Sequence, residues 1–153
     1  MKSIIATVLI GFSGFFGFAS TSYAQDKPDT PSALSGGKVI SVDDAKKLID
    51  DGKTQFFDTR SALNFGKGHL KGAKLVAYRE KSDFVPNFDD SQDKFELDKL
   101  PSDKTTPIVI YSDGPKGWKS YKGAVLAVKA GYKNVMWLRE GTTGWTAKGQ
   151  ALQ

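Results

Sequence analysis

Pro107-Ile108-Val109-Ile110-Tyr111-Ser112-Asp113-Gly114-Pro115-Lys116-Gly117-Trp118-Lys119-Ser120 joins three kinds of sequence within fourteen residues. Ile108 to Tyr111 is a short apolar, β-branched run that stops at a loop rich in Gly and Pro, the pattern of a buried strand. Ser120 to Ala130 then carries small and apolar residues at helical spacing, and Gly131 supplies a stop. Strand, tight loop and helix in that order build a pocket at the carboxyl end of a strand in an α/β fold. N–H groups at the start of the following helix favour an anion there. Ser112, Asp113, Gly114, Pro115, Lys116, Gly117, Trp118, Lys119 and Ser120 are therefore the candidate pocket residues.

The flanking sequence extends the same alternation. Lys38-Val39-Ile40 reads as a first strand. Ser41 is a good helix N-cap, with Asp43 and Asp44 in the first turn, Val42, Ala45, Leu48 and Ile49 at helical spacing, and Gly52 as the stop. Thr54 to Phe57 reads as a second strand ending at Asp58-Thr59-Arg60, Ser61 to Phe65 as a single helical turn, and Lys74 to Ala77 as a third strand. Val135 to Leu138 is the last strand, Glu140-Gly141 a turn, and Thr142 to Lys148 a short terminal helix carrying Trp145. Strands alternating with helices predict an α/β fold with a central, mostly parallel sheet and helices on both faces. Tyr78 to Lys104 has little periodicity and is expected as an irregular excursion with one helix around Asp90 to Leu100, packed down by Phe84, Val85, Phe88, Phe95, Leu97 and Leu100.

The chain has 153 residues, 25% of them charged and 39% hydrophobic, with a formal net charge of +5. That suits one globular domain. From Asp83 to Asp103 there are seven acidic residues against two lysines, whereas Lys104 to the end has eight Lys/Arg against Asp113 and Glu140. No Arg-rich block or basic stripe interleaved with aromatics points to nucleic acid. Met1-Lys2-Ser3, the apolar run Ile4 to Phe18 and the small residues of Ser22-Tyr23-Ala24 form a secretory signal pattern with a cut after Ala24. The expected product is a periplasmic or secreted protein, free of the membrane once residues 1–24 are removed, with 25–37 a flexible leader and 38–153 the folded domain. A retained N-terminal anchor is the alternative. There is no cysteine, so neither a disulfide nor a lipid on a cysteine is available. No cluster has metal-ligand spacing and no nucleotide-binding glycine pattern occurs, so no metal and no cofactor are expected.

Four landmarks, in order, resemble the rhodanese-like domains. Asp58-Thr59-Arg60 resembles the family's Asp-x-Arg after an early strand. Gly68-His69-Leu70-Lys71-Gly72-Ala73 resembles its Gly-His-x-x-Gly-Ala signature. Ile108 to Tyr111 with its loop resembles the active-site strand, and Gly131-Tyr132-Lys133-Asn134-Val135, Glu140-Gly141 and Trp145 resemble the closing segment. The likeness runs from about Val39 to Leu152. The loop is similar to an exported branch with Cys-x-Gly-Pro-x-Cys-Trp-x-Ser, but Ser112 and Gly117 stand at the two cysteine positions. The resemblance implies thiosulfate sulfurtransferase chemistry through a cysteine persulfide, and places Asp58 and Arg60 near the pocket, although the two residues read first as partners in structural hydrogen bonds and an ion pair.

A serine hydroxyl ionises too weakly to replace the thiolate, and oxygen cannot carry the persulfide. Serine catalysis would need an oriented base, and the only histidine, His69, lies in a loop that the family uses structurally. No catalytic residue is therefore expected. The remaining expectation is an accessory module that binds a small oxyanion or an unidentified periplasmic protein. Backbone N–H groups of the Ser112, Gly114, Gly117 and Ser120 region would turn inward beside Lys116 and Lys119, with Trp118 exposed at the mouth. The rivals are an enzyme using Ser112 or an incoming partner thiol, and an interaction domain using the acidic 83–103 excursion.

Overall fold

The structure, a computed structural model, describes residues 26–153. The signal segment expected at 1–24 lies outside the described residues. The elements are β1 (Lys38–Val39), α1 (Val42–Asp51), β2 (Gln55–Asp58), α2 (Ala62–Lys67), β3 (Lys74–Leu75), β4 (Ile108–Tyr111), α3 (Trp118–Lys129), β5 (Val135–Leu138) and α4 (Gly141–Ala147). The five strands form one all-parallel sheet in the order β1-β5-β4-β2-β3.

β4 lies at the centre, paired with β2 through Phe57↔Ile110 and with β5 through Ile110↔Trp137. All four of its residues are buried, which explains an apolar run without polar alternation. Successive side chains still point to opposite faces. Phe57, Ile108, Ile110 and Trp137 pack with Tyr121, Ala124 and Ala127 of α3. Phe56, Val109, Tyr111 and Leu138 pack on the other face with Val42 and Ala45 of α1 and Trp145 of α4. The sheet is thus covered on both sides, as its apolar strands require.

Local signals account for most boundaries. Ser41 and Asp44 form a reciprocal capping box at the start of α1, and Gly52 ends it at φ +70°. The helix expected over Asp90 to Leu100 is replaced by two single 3₁₀ turns, Asp90–Gln92 and Leu97–Lys99. Between them Lys94 pairs its backbone with Arg79 in an antiparallel bridge, and the Asp93 side chain takes donors from residues 78–82. Those contacts hold the chain extended where a helix would have to continue.

The leader also differs from expectation. Residues 26–37 lie against the domain instead of forming a free tether. Thr30 and Leu34 are buried, and Leu34 joins the core on the α3 face. Two prolines, Pro28 and Pro31, limit the conformations that this segment gives up on docking.

Candidate functional site

Ser112 follows β4 directly, at the carboxyl end of the central strand, and is 1% exposed. Its hydroxyl lies 3.0 Å from Ser120 Oγ and 3.2 Å from the Gly117 carbonyl. The Trp137 indole N–H donates to Ser120 Oγ at 3.0 Å, and Ser120 in turn donates to the Gly117 carbonyl at 2.9 Å. The consistent arrangement has Ser112 donating into Ser120, so its proton is held in a structural chain that ends on the Gly117 carbonyl. His69 is elsewhere: its Nδ1 lies 3.0 Å from the Phe65 carbonyl, and its ring stacks on Phe65 at 3.9 Å.

The loop is closed on itself. Gly117 N–H donates to Gly114 O, Trp118 N–H to Lys116 O and Ser120 N–H to Gly117 O. At the start of α4, Thr142 N–H donates to Ser112 O and Thr143 N–H to Asp113 O. The inward cradle of N–H donors expected from the sequence is therefore not formed at Gly117 or Ser120, because these groups are used within the loop. A Cβ on Gly117 would lie 2.1 Å from Ser112 Oγ, and one on Gly141, at φ +55°, would lie 2.4 Å from Ser112 O. Both glycines are required by close approach, the second also by its backbone conformation.

Two pocket residues have other roles. Trp118 is not at an exposed mouth: it is 2% exposed, and its indole donates to Pro28 O at 2.8 Å, so the N-terminal segment roofs it. Arg60 makes the structural ion pair with Asp58 that its sequence position suggested, and is not among the residues bordering the loop groove. Its guanidinium is buried in an ion pair with Asp58 at 2.6 Å and donates to Gly68 O. Lys119 is half-buried on α3. Asp113, Gly114, Pro115, Lys116 and Gly117 do border one groove of about 540 Å³, with Thr143 on one wall and Lys27 and Asp29 of the N-terminal segment on the other. Lys116 is held by Asp26 at 2.8 Å.

Several residues that shape this face had no distinctive sequence signal. Lys122 is fully buried, 3.1 Å from Glu80 and 3.0 Å from Ser82 O, with Phe84 and Phe88 rings beside its ammonium. Lys27 shares Glu80 and the Phe84 ring. Asp93 gathers the nearby excursion. Burial pushes its carboxyl up, but bonds from the Ser82 and Tyr78 hydroxyls and from the Lys81 and Ser82 amides outweigh that and hold its pKa at about 2. Burial, with Asp93 alongside, pushes the Tyr78 hydroxyl up in turn. Arg139 leaves the end of β5 and reaches Thr30 and Pro31; its place one residue beyond an apolar strand was the available hint.

A parallel sheet of this order, with a loop between its central strand and α3, defines a three-layer α/β domain with a candidate site at the carboxyl end of its central strand, here with no thiol in the loop. The chain belongs to the rhodanese-like domain family, whose model matches residues 41–148. It is similar to the uncharacterized protein YibN of Escherichia coli strain K12, 29% identical over 122 residues that cover 79% of this chain and 76% of that one. A tRNA uridine(34) hydroxylase of Yersinia enterocolitica is 27% identical over 112 residues, 73% of this chain but 29% of the hydroxylase. Among solved structures, the BH2092 protein of Bacillus halodurans matches with a TM-score of 0.58 at 18% identity, over 76% of this chain and 77% of that one. A thiosulfate sulfurtransferase from Pseudomonas aeruginosa matches with a TM-score of 0.56 at 23% identity, over 78% of this chain and 20% of the enzyme. These structural likenesses concern the fold.

Proposed function

We propose that this protein is an exported rhodanese-like domain without sulfur-transfer activity, working as a binding module that presents its loop face to a protein partner. Position 112 carries the reading. A hydroxyl stands at the end of the central strand, shielded from solvent and committed to Ser120 and Gly117. Persulfide chemistry needs a cysteine thiolate there, and the chain contains no cysteine. Export is supported by the signal pattern of residues 1–24. A small anion is a poorer fit than a protein: Gly117, Trp118 and Ser120 N–H groups already have acceptors, and Lys116 already has Asp26.

The acidic excursion is the less favoured binding face because several of its acids work internally. Asp93 serves residues 78–82, Asp89 caps Ser91 and Glu96 pairs with Lys99. Two measurements test the proposal. Wild-type protein incubated with thiosulfate, and with cyanide or glutathione as acceptor, is expected to show no turnover above the blank; turnover with either acceptor overturns the absence of activity. Pull-downs from a periplasmic extract are expected to lose partners with Lys116→Glu and keep them when Asp83, Asp90 and Asp98 are neutralised. The reverse result moves the binding face to the excursion.

A further inference from the structure

Residues 26–31, Asp-Lys-Pro-Asp-Thr-Pro, cross the loop face as a strap outside any helix or strand. What holds them is mostly polar and directed at backbone. The Trp118 indole donates to Pro28 O at 2.8 Å. Arg139 donates from its Nε to Pro31 O at 3.0 Å and from a terminal nitrogen to Thr30 O at 2.9 Å. Pro115 O accepts both the Thr30 N–H at 2.8 Å and the Thr30 hydroxyl at 2.6 Å. Two acids are met by cations, Asp26 by Lys116 at 2.8 Å and Asp29 by Arg139 at 3.9 Å.

Side chains that donate to successive backbone carbonyls, with a backbone carbonyl that takes the Thr30 N–H, read a peptide, as peptide-binding surfaces do. The first residue that anchors this segment in the core is Leu34. Release of residues 26–31 while Leu34 stays packed therefore breaks no apolar core contact and requires chiefly that the buried Thr30 give up its bonds to Pro115 O. The surface they cover lies at the carboxyl end of the parallel sheet, where this architecture places its ligands.

We propose that Pro115, Lys116, Trp118 and Arg139 form a peptide-binding track, occupied in cis by residues 26–31 and taken in trans by an extended, acidic Pro-Asp-Thr-Pro-like segment of a partner protein. The proposal rests on reading the loop face as a binding surface and specifies the chemistry of what binds there. The cis segment acts as a tethered competitor. A short tether sets an effective concentration of roughly millimolar, so a free peptide of modest affinity competes poorly until the strap is loosened.

The test uses the full chain and a fluorescent synthetic peptide of residues 26–32. Thr30→Pro removes the N–H and the hydroxyl that bind Pro115 O. It is expected to bind the peptide at least about tenfold more tightly than wild type, and Arg139→Gln added to Thr30→Pro is expected to abolish that gain. A second measurement does not depend on the variants' folding. Isotope-labelled wild type titrated to millimolar unlabelled peptide is expected to show a saturable shift of its own Thr30 N–H resonance as the strap leaves Pro115 O, absent with a scrambled peptide. No shift, or equal response to the scrambled peptide, overturns the proposal. A concentration-dependent wild-type dimer with exchanged straps also overturns it, by making a second copy the occupant. Sulfurtransferase turnover by the wild type would overturn the absence of activity without changing the peptide affinities, so the two failures are distinguishable.

Discussion

Gly117→Ala tests the loop most directly. The added Cβ would lie 2.1 Å from Ser112 Oγ and 2.8 Å from Gly114 O. Gly117 has φ −82°, so alanine meets no left-handed backbone penalty and the effect is one of space. Gly114 O is fixed in the loop, where it accepts the Gly117 N–H at 2.7 Å. Ser112 Oγ can yield only by rotating away from Ser120, which strands a buried hydroxyl. Overpacking costs about 1–3 kcal/mol, and an unsatisfied buried hydroxyl about 1–3 kcal/mol. We expect a loss of about 3 kcal/mol in urea unfolding. In a Ser112→Ala background the collision with Oγ disappears while that with Gly114 O remains, so the same substitution should cost about 1–2 kcal/mol less. A loss below about 0.5 kcal/mol, or an equal loss in both backgrounds, would refute the view that serine and glycine at these positions are packed as a pair.

Two further outcomes follow from groups outside the loop. Asp58→Ala leaves the Arg60 guanidinium buried without its carboxylate and should cost about 3–5 kcal/mol in chemical denaturation; a loss under about 1 kcal/mol would mean that water or Gly68 O suffices for Arg60. The folded-state pKa of Asp93, about 2, lies below its ordinary 3.8, so its contribution is complete above pH 3.8 and is lost as pH falls through 2. The difference corresponds to about 2 kcal/mol at most, and to about 1 kcal/mol after allowing for solvent screening. Unfolding midpoints measured from pH 5 to pH 2 should fall more steeply for wild type than for Asp93→Asn, and parallel curves would remove Asp93 from that role.

Much of the architecture was legible because strand and helix signals were local and agreed with one another. Ile108 to Tyr111 reads as a buried strand and is one, and Ser41 and Gly52 bracket α1 as their chemistry directs. The site was legible in its position but not in its state. That Ser112 follows the central strand can be read from the order of elements. That Gly117 lies against Ser112 Oγ depends on how the loop folds back, which no spacing rule encodes. The excursion failed as a helix because Asp93 serves four donors from residues eleven or more positions earlier. The docked leader was hidden for a similar reason: its partners, Pro115, Trp118 and Arg139, are 85 or more residues away.

Chemistry and access at position 112 are separate barriers, and Ser112→Cys distinguishes them. The substitution places a thiol close to the start of α3, where the helix end favours a thiolate. It does not restore a path to it, because position 112 is 1% exposed and lies under Gly117, Ser120 and Trp137. A thiol reagent should therefore react through transient opening of the loop. If opening requires about 3 kcal/mol, native labelling will be about a hundredfold slower than labelling of the same thiol in urea. Sulfur uptake from thiosulfate should be slow in proportion, since the donor must enter by the same route. Native labelling as fast as in urea would show that the loop admits small molecules freely. The proposed lack of sulfur transfer would then rest on the absence of a thiol at position 112 alone, and not also on the packing of Gly117 against Ser112.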